Sequence, residues 1–137
     1  MIRTGIIFMF LISPFQQVSA QYTDNFNLNS LVIQFEDASD EIAAKYIPLL
    51  YRLADTLKSN ISIEVIVRGH VCCVKSNRLA KSRAKSVCYY LELFGVNANR
   101  LKVKGMRNSM PVVFPVKSKD DELANMRVDF IFYGSVP

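Results

Sequence analysis

Two stretches with a helical apolar period, separated by one that alternates strictly, set the folding problem for this chain. In the first, Ile42, Tyr46, Leu49, Leu50, Leu53, Ala54 and Leu57 recur at steps of three and four residues, which predicts a helix with one buried face. Asp37, Ser39 and Asp40 precede it as cap residues, and Ser59-Asn60 closes it. In the second, from about Asn77 to Phe94, the positions Leu79, Ala84, Val87, Cys88 and Leu91 face inward, and Gly95 stands where a helix C-terminus favours glycine. Between the two, Ile61, Ile63, Val65 and Val67 share one face of a strand; Ser62, Glu64, Ile66 and Arg68 share the other. Helices of this length between short strands require crossover connections. At least part of the sheet is then parallel or mixed, with helices on one face.

The remaining segments complete that scheme. Leu31 to Phe35 is a short apolar, β-branched run, and Leu101 to Lys104 and Arg127 to Tyr133 read as further strands. A loop surrounds Pro111 and Pro115, and Asp120 to Asn125 has room for one helical turn. The expected fold is α/β: a two-layer sandwich of βαβαβ(β) order, a mixed sheet carrying two main helices on one face. Residues 31–134 form the domain, and the polar stretch 21–30 leads into it.

The first twenty residues point to export. Arg3 supplies a basic start, Ile6 to Ile12 an apolar core, and Val18-Ser19-Ala20 the small residues of a cleavage site. The apolar run is too short to span a bilayer, and Pro14, Gln16 and Gln17 end it. An uncleaved anchor or a buried helix fits these flanks less well. No cysteine follows directly for a lipid anchor, and no other segment reads as transmembrane. What remains after residue 20 suffices for one domain with its own core and not for two. The net charge of +5 suggests anionic partners in the cell envelope. Without a long basic run, and with export expected, nucleic acid is not among them.

Charge concentrates where the second helix starts. Lys75, Arg78, Lys81, Arg83 and Lys85 crowd that end, although a helix N-terminus already carries partial positive charge. An anion among the free N–H groups would explain the placement; a solvated basic face explains it equally well.

In order along the chain stand Gly69-His70, Asn77-x-Leu79-x-x-x-Arg83-Ala84-x-x-Val87, Gly95-Val96, Arg100-Leu101, Gly105-Met106, Pro111 and Asn125-x-Arg127-Val128-Asp129. This succession resembles the OmpA-like domain, the peptidoglycan-associating module of outer-membrane porins, peptidoglycan-associated lipoproteins and flagellar stator proteins. The adjacent cysteines after Gly-His resemble a variant from Bacteroidetes-type bacteria. The resemblance covers roughly residues 30–134, and it implies a periplasmic protein, outer-membrane associated in some relatives. It also implies a groove for the diaminopimelate of the wall peptide, in which an aspartate holds the ammonium and arginine a carboxylate.

Carried over by position, Arg83 and Arg127 match two arginines of that groove, and Asn77 belongs to the same motif. Cys72 stands where the family has the aspartate, Val71 where it has threonine, and Met126 where it has another arginine. The loop from Gly69 to Arg83 is also shorter than the family's. Glu36 or Asp37, where an asparagine often follows the first strand, is the candidate to hold the ammonium in its place.

The three cysteines divide unevenly. Cys88 lies roughly 16 Å along the second helix, too far for a bridge to Cys72 or Cys73, whose Cα atoms would have to come within roughly 7 Å; a buried thiol is expected there. The adjacent Cys72 and Cys73 have several fates open: a disulfide to each other, two thiols, a link to another chain, or with His70 a soft-metal site. Alternation of His70 and Cys72 along an extended chain, with no second ligand cluster, argues against the metal. With one histidine and no nucleophile–base pair, phosphate loop or acid dyad, neither an enzyme nor a cofactor is expected. The expected function is non-catalytic association with peptidoglycan, with other envelope proteins as further partners. The alternatives are a redox- or metal-responsive interaction module built on Cys72 and Cys73, and a scaffold that has lost the ligand.

Overall fold

A computed structural model describes residues 26–134; the expected signal peptide, residues 1–20, lies outside them. The elements are β1 (Val32–Gln34), α1 (Ile47–Ser59), β2 (Glu64–Gly69), α2 (Asn77–Leu93), β3 (Leu101–Gly105), α3 (Lys119–Asn125) and β4 (Arg127–Tyr133). They build the expected mixed α/β arrangement, a four-stranded sheet in the order β1-β4-β2-β3. Strands β2 and β3 are parallel, as the crossover through α2 requires. The last strand inserts between β1 and β2 and runs antiparallel to both.

Alternation decides the layers. Ile33, Val65, Val67 and Val128 are fully buried, and with Leu50, Leu53, Leu57, Val87 and Leu91 of the helices they form the core. Each such burial contributes about 1.5–3 kcal/mol relative to exposure. Phe26 and Leu28, within the polar lead-in, also pack against this core. The opposite sheet face carries Glu64, Ile66, Arg68, Asp129 and Ile131, none of them fully buried.

Helix α2 lies unusually close to the sheet at its N-terminal end. Gly69 and Gly105 are partners across the parallel pair. A Cβ on Gly69 would strike the Ala80 carbonyl, and one on Gly105 would strike the Asn77 side chain and Lys81. Two side-by-side glycines therefore let the helix backbone approach the strands, and they fix where α2 begins relative to their ends.

Two boundaries differ from the sequence expectation. Helix α1 starts at Ile47, not Ile42, after a 3-10 turn at Ala44–Tyr46. Pro48, which lacks an N–H, fits the first helical turn and not the interior. The expected caps do other work: Ser39 Oγ accepts from the Glu41 amide, and Asp40 accepts from the Ser82 hydroxyl. Ile61 is 82% exposed and lies in a turn. Arg100 donates to the carbonyls of Leu57, Asn60 and Ile63, which holds the chain in that turn and delays β2 until Glu64.

Candidate functional site

Arg83 is the centre of the site, and burial defines it. Its side chain is 0% exposed, directed from α2 toward the end of the sheet. Nε donates to the Ser39 carbonyl at 2.8 Å, Nη1 to His70 at 3.0 Å and Nη2 to Glu36 at 3.0 Å. The guanidinium also stacks over the Phe35 ring at 5.4 Å. Desolvation lowers its pKa from the ordinary value, and the nearby Asp37 and Asp40 charges oppose that shift. No carboxylate pairs with it directly among the described residues. Arg83 therefore bolts the loop after β1 to the end of β2, and it keeps a buried positive charge there.

Beside it opens a cleft of about 300 Å³ lined by Asp37, Val71, Cys72, Leu79, Arg83 and Glu122, among others. Leu79, expected inward, is only half-buried and lines this cleft. The two acids share a cation: Lys119 Nζ lies 2.8 Å from Glu122 Oε2 and 3.6 Å from Asp37 Oδ2. The hydrogen bond that Lys119 donates to Glu122, and then the charge of Asp37, raise the ammonium above its ordinary pKa. Sequence reasoning missed Glu122. Its one legible sign was Ser118, which with Asp121 forms a capping box that starts α3 and so presents Glu122 in the first turn.

Of the residues singled out from the sequence, Asp37, Cys72 and Arg83 come together in this cleft. Glu36 contributes its carbonyl to Arg83 while its side chain is exposed and lines a neighbouring cleft. Asn77 sits over Gly105 at the edge strand, its Oδ1 buried without a hydrogen-bond partner. Lys75, Arg78, Lys81 and Lys85 are exposed at the start of α2, where Ser76 caps the helix by accepting from the Leu79 amide.

Arg127 lies on the other side of the sheet. Its partner on β1 is Gln34, and its Nη2 donates to the Met110 carbonyl at 3.0 Å and to Asp129 Oδ2 at 3.2 Å. Asp129 also accepts from Arg68 Nε at 2.7 Å. His70 Nε2 is 3.1 Å from Asp129 Oδ2, but off the line of a good hydrogen bond. Burial alone would raise the Asp129 pKa; His70 and Arg68 outweigh it and hold the carboxyl down at about 2. Arg127 itself is lowered by desolvation, against the raising effect of Asp129. The two arginines that the resemblance assigned to one groove are therefore separated by the sheet.

Cys72 and Cys73 form a disulfide between adjacent residues, while Cys88 is a buried free thiol. Desolvation first, and then the Glu92 charge, push that thiol up to about 12. Among the described residues no group of three or more His, Cys, Asp or Glu is placed to hold a metal ion. No helix among them is long and apolar enough to cross a membrane.

The fold has matches among solved structures. No curated protein matches the chain in sequence. The peptidoglycan-associated lipoprotein of Burkholderia pseudomallei has the same fold, with a TM-score of 0.70, 22% identity, and 74% of this chain and 89% of that one covered. The C-terminal domain of Helicobacter pylori MotB matches with a TM-score of 0.70 at 28% identity, covering 77% and 85%. The cell wall anchor of the T6SS from Pseudomonas aeruginosa matches with a TM-score of 0.62 at 26% identity, covering 77% and 80%. The OmpA family model matches residues 34–125, a span that runs from the end of β1 through α3 and contains Arg83, both cleft acids and the disulfide. This chain belongs to the OmpA family.

Proposed function

We propose that this chain is a non-catalytic module of the bacterial cell envelope, working in the periplasm, that associates with peptidoglycan. The wall peptide's diaminopimelate end would occupy the cleft between the loop after β1 and the segment 71–74. The observation that carries this reading is the Asp37–Lys119–Glu122 arrangement. Cys72 cannot hold an ammonium as an aspartate would, but Asp37 and Glu122 line the same cleft, and an ammonium already lies between them. The buried charge of Arg83 behind them favours a carboxylate in the cleft. A zwitterionic end then finds both signs within one site. Two similar structures, a peptidoglycan-associated lipoprotein and a cell wall anchor, support the same partner class by their names. Arg127, Asn77 and the Glu36 side chain have no part in this reading.

The test is retention of the purified protein on insoluble wall sacculi. Asp37→Asn together with Glu122→Gln is expected to weaken retention about tenfold or more, the loss of a charge-assisted hydrogen bond to the ligand. Lys119→Ala removes the competing internal ammonium and is expected to strengthen it. Wild-type protein that fails to sediment with sacculi would sink the proposal.

A further inference from the structure

The segment from Cys72 to Lys75 lies between two well-anchored points. Before it, the Val71 amide donates to the Arg107 carbonyl at 2.9 Å. After it, Ser76 caps α2. Among the described residues no backbone hydrogen bond outside the helices and strands engages residues 72–75, so the Cys72–Cys73 disulfide is the one specific tie within the span. Val71, Cys72 and Cys73 form a wall shared by two clefts. One is the cleft of Asp37, Arg83 and Glu122. The other, of about 250 Å³, is lined by Val71, Cys72, Cys73, Pro111, Phe114 and Val116, among others. Cys72 is buried, whereas Cys73 is exposed, so a thiol approaching from solvent meets the pair at Cys73.

We propose that this disulfide is a thiol-exchange site that a protein dithiol of the envelope reduces, and that its state sets the shape of the wall shared by the two clefts. A donor thiolate attacks Cys73 Sγ; the S–S bond breaks, and its electron pair leaves on Cys72 Sγ, which takes a proton. The donor's second thiol then attacks the mixed disulfide, releasing Cys73 as a thiol and leaving the donor oxidised. Two electrons pass from donor to pair. Reduction removes the tie without touching any hydrogen bond of the sheet, so the segment loosens while the core stays folded. The consequence for ligand rests on the peptidoglycan reading above; the loosening does not.

Hydrogen exchange of the purified protein, oxidised and after treatment with dithiothreitol as the probe dithiol, separates the two. The Val71 amide, whose bond to the Arg107 carbonyl anchors the segment beside Cys72, is expected to exchange roughly tenfold faster in the reduced protein. The amides of Val112 and Val113, both held by the Asn125 side chain, are expected to stay unchanged. The Cys72→Ser, Cys73→Ser double variant should match the reduced protein without any reductant. Equal exchange at Val71 in both states, or equal acceleration at Val112 and Val113, overturns the proposal. Sacculus retention measured on the same samples is expected to fall on reduction. If neither state is retained, the peptidoglycan reading fails and the exchange data still decide this one.

Discussion

Arg83 and Arg127 are both nearly inaccessible, both lie near the same end of the sheet, and they are stabilised by opposite means. Arg83 is on the helix side and donates its hydrogen bonds to backbone carbonyls, those of Glu36, Ser39 and His70. Arg127 is on the open side and shares the Asp129 carboxylate with Arg68 and His70. A guanidinium held by carbonyls fixes backbone position and keeps its charge without a directly bonded carboxylate, which suits the back of a binding cleft. One held by a carboxylate spends its charge inside the protein. The difference teaches that matching an arginine to a family motif says little about its task until its acceptors are known.

The largest break in this comparison is Arg83→Ala. Three buried carbonyls lose their donor at once, and the expected cost is on the order of 3–5 kcal/mol, read as a lower urea midpoint. Arg83→Lys should restore less than half of that, because a single ammonium cannot span carbonyls arranged around a planar fork. Wild-type stability in Arg83→Ala would show that Arg83 is not a bolt.

Asp129 comes next. Its folded pKa of about 2 lies below the ordinary 3.8, so the stability it confers is fully present above about pH 4. That stability is lost as the pH falls through about 2, and it amounts to about 2 kcal/mol. Asp129→Asn should therefore be less stable than wild type at neutral pH, with the gap closing between about pH 4 and pH 2. A constant gap across that window would remove the carboxylate's charge from the account.

The smallest effect is expected from Arg68→Gln. Arg68 is more exposed than Arg127, and Asp129 keeps its remaining contacts, so a loss of about 1 kcal/mol is expected. The Asp129 carboxyl should titrate at higher pH in this variant, a change visible in its carbon-13 shift. An unmoved titration would show that the open-face cluster does not depend on Arg68.

Much of the fold was legible because its signals are local. The helix from Asn77 ends within one residue of the expected place, and β4 spans the expected Arg127–Tyr133, since apolar period and a terminal glycine act within a few residues. The start of α1 was not legible from periodicity alone: Ile42 keeps the apolar phase and is buried, yet it lies in the loop that wraps Arg83. The site was legible only in part. Arg83, Asp37 and Cys72 stood out by motif and do meet in the cleft, whereas Arg127 stood out equally and does not.

By itself the sequence determined most of the elements and the mixed α/β layering, because these follow from side-chain period and from the crossovers that helices between short strands require. Only the tertiary structure decided that β4 would divide β1 from β2, that Glu122 would join Asp37 around one ammonium, and which acceptors each arginine would find. The carbonyls of Ser39 and Glu36 lie 44 and 47 residues from Arg83. Whether such distant groups meet depends on sheet order and helix placement, and no local pattern in the chain encodes either.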